Sequence, residues 1–253
     1  EKERLERELQ VARQIQESIL PRVLPQLPGF SLGARMIPAR AVGGDLYDFI
    51  LLGGDRLGVV IGDVSDKGVP AAIFMALSRS LLRAEAHPSR PPGEVLANVN
   101  YHLMTMNDSG MFVTVLYGIL NRANGEFTYA RAGHPVPWLF DGQGKLIQPD
   151  LGLGQPLGIL PEPKLDEKTI AIPPGGTVLL FTDGATDASN IQHELFGEER
   201  LEQAAHARLG APAQAMCDQV WQSIMQFQDA RHQADDVTLL LVRYRAAAQA
   251  ATV

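Results

Sequence analysis

Between residues 112 and 183, five strand-like runs follow one another with no helical pattern between them. They are FVTVLYGIL (112–120), EFTYARA (126–132), PWLFD (137–141), KTIAI (168–172) and TVLLFTD (177–183). Their β-branched and aromatic residues favour a pleated, buried surface. Parallel neighbours would need crossover connections, usually helices. The run offers none, so these strands pair antiparallel. The first two, joined by NRANG, read as a hairpin.

Four further runs complete the set. FSLGARMI (30–37), LYDFILL (46–52) and RLGVVIGD (56–63) come before, and DVTLLLVRY (236–244) comes after. Helical patterns lie at 1–20, 70–86, 92–106, 197–209 and 212–228. The order describes an α+β chain. Two antiparallel β-sheets pack face to face as a sandwich, flanked by α-helices.

The chain has 253 residues, 45% of them hydrophobic and 20% charged, which suits a globular domain. The net charge of -7 and the lack of a Lys/Arg cluster argue against nucleic acid as a partner. A single cysteine, Cys217, rules out an internal disulfide and a CxxC metal site, and fits a reducing compartment. No apolar run nears the ~18 residues that cross a membrane, and no signal-peptide pattern is present.

The sequence begins at Glu1 inside a helical pattern. It reads as the cytoplasmic domain of a longer protein, with a sensor domain upstream and room there for a membrane anchor. Within residues 1–20, Leu5, Leu9, Ala12, Gln16 and Ile19 recur at spacings of three and four, with Gln16 as the polar break. That is a short coiled-coil-like seam. A linker helix that forms a homodimer or joins a sensor module is favoured over one packed on its own domain. Pro21, Pro25 and Pro28 end it. Residues 21–245 form the folded domain, and 246–253 a frayed tail.

Short acids recur at the ends of the apolar runs. Asp63 closes LGVVIGD, Asp183 closes VLLFTD, and Asp235 and Asp236 stand at the entrance to VTLLLV. Asp45 follows two glycines at the head of LYDFILL. Gly43, Gly44, Gly62 and Gly184 beside them permit unusual backbone angles and close approach. Any one of these acids alone is more often a turn residue. If the strand ends meet at one rim, the site is all oxygen, which suits Mg²⁺ or Mn²⁺ and not Zn²⁺. Four carboxylates fit two ions better than one, and such a pair can promote hydrolysis of a phosphoester.

Taken together, GGDLYD (43–48), IGDVSDKGVPAAIFMALSRSLLR (61–83), AGHPVPWLF (132–140), LLFTDGATDA (179–188) and DDVTLLLV (235–242) resemble the PPM metal-dependent serine/threonine phosphatases. More narrowly, they resemble the bacterial SpoIIE/RsbU-like branch, across about residues 20–245. The resemblance implies a β-sandwich with two Mn²⁺ or Mg²⁺ ions at one edge. By motif position it implies metal ligation by Asp45, Asp63, Asp183 and Asp235 and by the backbone carbonyl of Val64. Asp236, where many relatives carry Asn, is implied to support the site. Catalysis would then proceed through these acids and an activated water, without a protein nucleophile.

The implied substrate is a phosphorylated STAS-domain protein, such as an anti-sigma factor antagonist. The helices at 1–20 and 70–86 are implied to regulate metal affinity. The alternatives are a catalytically inactive scaffold of the same fold, against which the intact acids argue, and a two-metal nuclease, against which the missing basic footprint argues.

Other residues carry weaker signals. Arg35 and Arg40 precede Asp45, but neither lies in a motif that assigns it to phosphate. His134 in AGHPVP reads as a His-Pro turn, and the same segment lacks an acid for a third metal. Lys67 reads as a turn lysine and Asp187 as a first-turn helix acid. GLGQPLGIL (152–160) is a loop near the site with a gating role, and it lacks the Lys-Ser/Thr ending of a Walker loop.

Overall fold

The computed structural model describes residues 1–228 and 233–245, so the expected tail at 246–253 lies outside the described residues. The elements in order are α1 (Lys2–Ile19), β1 (Phe30–Ile37), β2 (Leu46–Gly53), β3 (Arg56–Val64), α2 (Val69–Glu85), α3 (Pro92–Met106), β4 (Val113–Asn121) and β5 (Glu126–Ala132). There follow β6 (Trp138–Phe140), β7 (Leu146–Ile147), β8 (Asp166–Ala171), β9 (Thr177–Phe181), α4 (Gly197–His206), α5 (Ala213–Gln228) and β10 (Val237–Tyr244). All nine expected strands form, with β7 added.

The strands make two five-stranded sheets, ordered β1-β10-β9-β6-β7 and β2-β3-β4-β5-β8. Every ladder pair is antiparallel. The sheets stack face to face through Leu57, Val59, Ile61 and Leu116 on one side and Val178, Leu180, Leu240 and Val242 on the other. The opposite face of the β2–β8 sheet packs on α2 and α3, through Val60 and Val64 against Met75, Leu82, Val95 and Val99. The opposite face of the β1–β7 sheet packs on α4 and α5, through Leu239 and Leu241 against Leu201, Met216 and Val220. The result is four layers, helix–sheet–sheet–helix. A strand in an inner layer buries both faces, which is why β3, β9 and β10 read as unbroken apolar runs rather than alternating ones.

Two helix starts follow from proline and glycine. Pro70 occupies the first turn of α2 and Pro92 the first position of α3, where a missing N–H costs nothing. Gly68 precedes α2 at φ 84°, a left-handed conformation that glycine adopts without a Cβ clash. Cys217 is buried in α5, and burial pushes its thiol pKa well up, so it packs as a small apolar residue. No helix among the described residues is long and apolar enough to cross a membrane.

Helix α1 is held differently. Gln16 is its only buried residue, while Leu5, Val11 and Ile15 are exposed. The Gln16 side-chain amide donates to Gly43 O at 2.7 Å, and its Oε1 accepts from Gly43 N at 3.0 Å. The polar break in the expected seam is thus a clasp on the chain's own body.

Candidate metal centre

Antiparallel pairing brings the acid-bearing strand ends to one edge of the sandwich. Asp45 precedes β2 and Asp63 is the penultimate residue of β3, both in one sheet. Asp183 opens a 3-10 turn just after β9, and Asp235 and Asp236 precede β10, both in the other. Asp45 lies deepest, at 1% exposure, while Asp63 and Asp235 are half-buried and Asp183 is exposed at the mouth.

The carboxylates repel one another. Burial, and after it the charges of Asp63 and Asp236, raise the Asp45 pKa well above the carboxylate range. Burial, then Asp183 and Asp235, raise Asp63 to about 7. Asp183 is raised by burial, then by Asp235 and Asp187. Desolvation and like charge both disfavour the ionised form. Asp45 Oδ2 accepts from Thr182 Oγ1 at 2.9 Å and from Thr238 Oγ1 at 2.5 Å. Asp45 Oδ1 is buried with no hydrogen-bond partner.

A buried acceptor without a donor, in an all-oxygen set of mutually repelling carboxylates, fits a hard divalent cation. Among the described residues, no three His, Cys, Asp or Glu side chains already form an ion-holding group. Some of the oxygens are engaged within the chain. The two threonines hold one side of Asp45, and the Lys67 ammonium sits 2.9 Å from Asp235 Oδ2 and donates to Ala234 O at 2.7 Å. Lys67 is therefore tied to an acid across the sheet edge rather than solvated in its turn.

Asp236 supports the centre from behind. Its Oδ1 accepts from Ala39 N at 2.7 Å, and its Oδ2 accepts from Gly44 N at 2.6 Å and Asp45 N at 3.4 Å. The glycines matter for room alone. None of Gly43, Gly44, Gly62 and Gly184 has a positive φ. A Cβ on Gly43 would meet Asp236 Oδ2 at 2.4 Å, and one on Gly184 would meet Asp236 O at 1.9 Å. A Cβ on Gly44 would come within 3.0 Å of the Val64 carbonyl, which puts that oxygen beside the residue preceding Asp45.

The remaining residues sort clearly. Arg35 pairs with Asp218 and lies over the Trp221 ring, so it belongs to α5. Arg40 is exposed, and its guanidinium lies 3.9 Å from where a Gly68 Cβ would stand, beside the turn that follows Asp63. His134 is buried, and burial holds its pKa down at about 3, so it is neutral and bonded to Thr114 at 3.2 Å. Asp187 lies in a bend after the 3-10 turn and not in the first turn of a helix. The 152–160 loop is pinned by a Val113–Leu157 bridge, by Gly158 N donating to Asn100, and by Arg131 Nη2 donating to Gly152 O.

Sequence reasoning missed Thr182 and Thr238, the reach of Lys67 and the Gln16 clasp. The threonines had a signal, since each stands within two residues of an acid in TDG and DDVT. A buried ion pair also went unseen. Asp48, at 1% exposure, meets Arg79 Nη2 at 2.7 Å and Arg83 Nη1 at 2.6 Å, tying β2 to α2.

These shifts fix a pH dependence. Asp63 titrates near 7 in the folded chain and near ~3.9 unfolded, so the folded chain holds the extra proton between those values. Its stabilising effect is complete below the unfolded pKa and is lost as pH rises through about 7. In chelator, the melting temperature is expected to fall from pH 5.5 to pH 7.5, and to fall less in Asp63→Asn. Saturating Mn²⁺ at pH 7.5 should restore it, by about 2.7 kcal/mol at a hundredfold excess over the dissociation constant. Scanning calorimetry checks this, and an unchanged melting temperature with Mn²⁺ would contradict it.

The SiaA-PP2C domain of Pseudomonas aeruginosa superposes with a TM-score of 0.83, at 23% identity, over 96% of this chain and 98% of that one. The layered sandwich is that of the PP2C-type, metal-dependent phosphatases. The family profile of Stage II sporulation protein E (SpoIIE) matches residues 53–245, and the chain belongs to that family. It is 34% identical to Protein IcfG of Synechocystis and 27% identical to phosphoserine phosphatase RsbU of Bacillus subtilis, in each case over 93% of this chain. The chain spans 41% of the length of IcfG and 70% of that of RsbU. It is a PP2C-type serine phosphatase domain of the RsbU/SpoIIE kind.

Proposed function

We propose that the chain hydrolyses phosphoserine or phosphothreonine on a partner protein, using two Mn²⁺ or Mg²⁺ ions. Asp45, Asp63, Asp183, Asp235 and the Val64 carbonyl would hold them. The carrying observation is the gathering of four carboxylates from two sheets at one edge, with three of their pKa values raised. The chemistry such ions supply is Lewis acidity, which acidifies a water and offsets phosphoryl charge.

The chain's own residues prepare the site. Thr182 and Thr238 fix the Asp45 carboxylate, and Asp236 fixes the backbone before it. Arg40 has no acidic partner among the described residues and flanks the Asp63 turn, where it would hold a phosphate oxygen. The substrate class we propose is a phosphorylated STAS-domain protein, supported by the likeness to RsbU. The upstream helix would act on the centre through Gln16 and Gly43, in a longer protein that carries a sensor domain.

The test is release of phosphate from a phosphoserine STAS-domain protein and from p-nitrophenyl phosphate, with Mn²⁺, Mg²⁺ or chelator. Metal-dependent turnover of both is expected, and none with any metal would favour the scaffold alternative. Arg40→Ala is expected to raise KM for the phosphoprotein about tenfold, the worth of one charge-assisted bond, with a smaller change in kcat. Unchanged KM would remove Arg40 from the site.

A further inference from the structure

Far from the carboxylates, the sandwich has a cationic recess. It lies where the end of β10, the start of β1 and the turn between α4 and α5 meet. Its volume is about 280 Å³, and Ser31, Gly210, Pro212, Arg243 and Arg245 line it. Asp236 and Arg243 sit at opposite ends of β10, roughly 23 Å apart along an extended strand. No Asp or Glu among the described residues is in the lining.

Arg243 is the unusual member. Val237, Leu239 and Leu241 lie in the core under α5, and period-two alternation puts Arg243 next on that same face. A guanidinium therefore stands where a core residue would, at 7% exposure. Arg35, Arg79, Arg83, Arg90, Arg122 and Arg131 each meet a carboxylate. Arg243 meets none among the described residues. Its Nη1 donates to the Gly210 carbonyl and, at 2.7 Å, to Ala211 O. Its Nε is buried with no partner.

A second cation stands beside the first, against their mutual repulsion. Arg245 lies two residues on, just past the end of β10, where it lines the same recess and is exposed. Burial, and after it the charge of Arg245, lower the Arg243 pKa. Two guanidiniums so close cost electrostatic energy, in a chain whose net charge is -7. The first turn of α5 adds to the field. Ser31 Oγ accepts from Ala213 N at 3.1 Å, which leaves its own hydroxyl proton free to donate. A 16-residue helix presents partial positive charge at that end.

We propose that this recess binds a phosphate-type oxyanion, either the free ion or the phosphate of a small metabolite. The planar N–H fork of arginine matches such an anion. The volume holds one phosphoryl group with room for a small attached body, and is too small for a dinucleotide.

Isothermal titration of the 253-residue chain in chelator-stripped chloride buffer tests it, with inorganic phosphate, pyrophosphate and glucose 6-phosphate as probes. One site is expected, binding at about 1 mM or tighter. Arg245→Gln should weaken it about tenfold, while Arg40→Gln leaves it unchanged. Arg243 also braces the 210–211 turn, so Arg245→Gln carries the test, and its melting temperature without anion should match wild type. Tighter binding of glucose 6-phosphate assigns the recess to a metabolite, and tighter binding of phosphate assigns it to the free ion. No binding, binding untouched by Arg245→Gln, or binding no stronger than that of sulfate and chloride would overturn the proposal.

Discussion

Asp63→Asn is expected to lower kcat/KM on a phosphoprotein about 1,000-fold while making the metal-free chain more stable. The two effects share one cause. Asp63 stands between Asp45 and the Asp183–Asp235 pair, and burial with their charges lifts its pKa to about 7. An amide of the same shape removes that charge and its repulsion, so the metal-free melting temperature should rise. The same change would remove one of the proposed metal ligands, at a cost of ~4 kcal/mol of transition-state stabilisation. A merely structural aspartate would show the opposite pattern, losing stability and keeping activity in the folded fraction. Turnover within tenfold of wild type, or a lower metal-free melting temperature, would sink the assignment.

Asp48→Ala is expected to cost about 3–5 kcal/mol, the loss typical when one partner of a buried pair is deleted. Arg79 is only 8% exposed, and its Nε already lacks a partner. Without Asp48 its charge is buried and unpaired. For a chain of this size the melting temperature should drop by about 10 °C. Asp48→Ala combined with Arg79→Met should recover much of the loss, because the stranded charge goes with it. Calorimetry on the singles and the double measures this. A loss below ~1 kcal/mol for the single variant would mean that water reaches Arg79 after all.

Much of the fold could be read from the residues. β1 at Phe30–Ile37, β5 at Glu126–Ala132 and α3 at Pro92–Met106 fall where periodicity and flanking turns put them. Strand β7 has two residues, too few to show any period. The acids could be read as a set, because each follows or precedes an unbroken apolar run. Their partners could not. Thr238 reaches Asp45 across 193 positions and Gln16 reaches Gly43 across 27, and such pairings follow from sheet order, which one strand's pattern does not carry. The glycines were legible as a cluster but for the wrong reason in part, since crowding demands them and not a special φ, by Asp236 at Gly43 and Gly184 and by the Val64 and Thr114 carbonyls at Gly44 and Gly62. Lys67 looked solvated because its turn is polar. Its acid lies 168 residues further on.

The hydrogen bonds from Thr182 and Thr238 to Asp45 have a consequence for how the domain comes into being. One carboxylate cluster draws on both sheets, and its last members precede β10, the last strand among the described residues. β10 also lies between β1 and β9, so the β1–β7 sheet cannot close until it arrives. During synthesis on the ribosome, every earlier portion of the domain lacks Asp235, Thr238 and the strand that joins β1 to β9. A product truncated before residue 235 therefore keeps Asp45, Asp63 and Asp183 but lacks Asp235 and Asp236, and Thr182 alone is left to brace Asp45. The carboxylate cluster is therefore completed only in the last step of the domain's assembly, and a partly made domain does not hold the whole set.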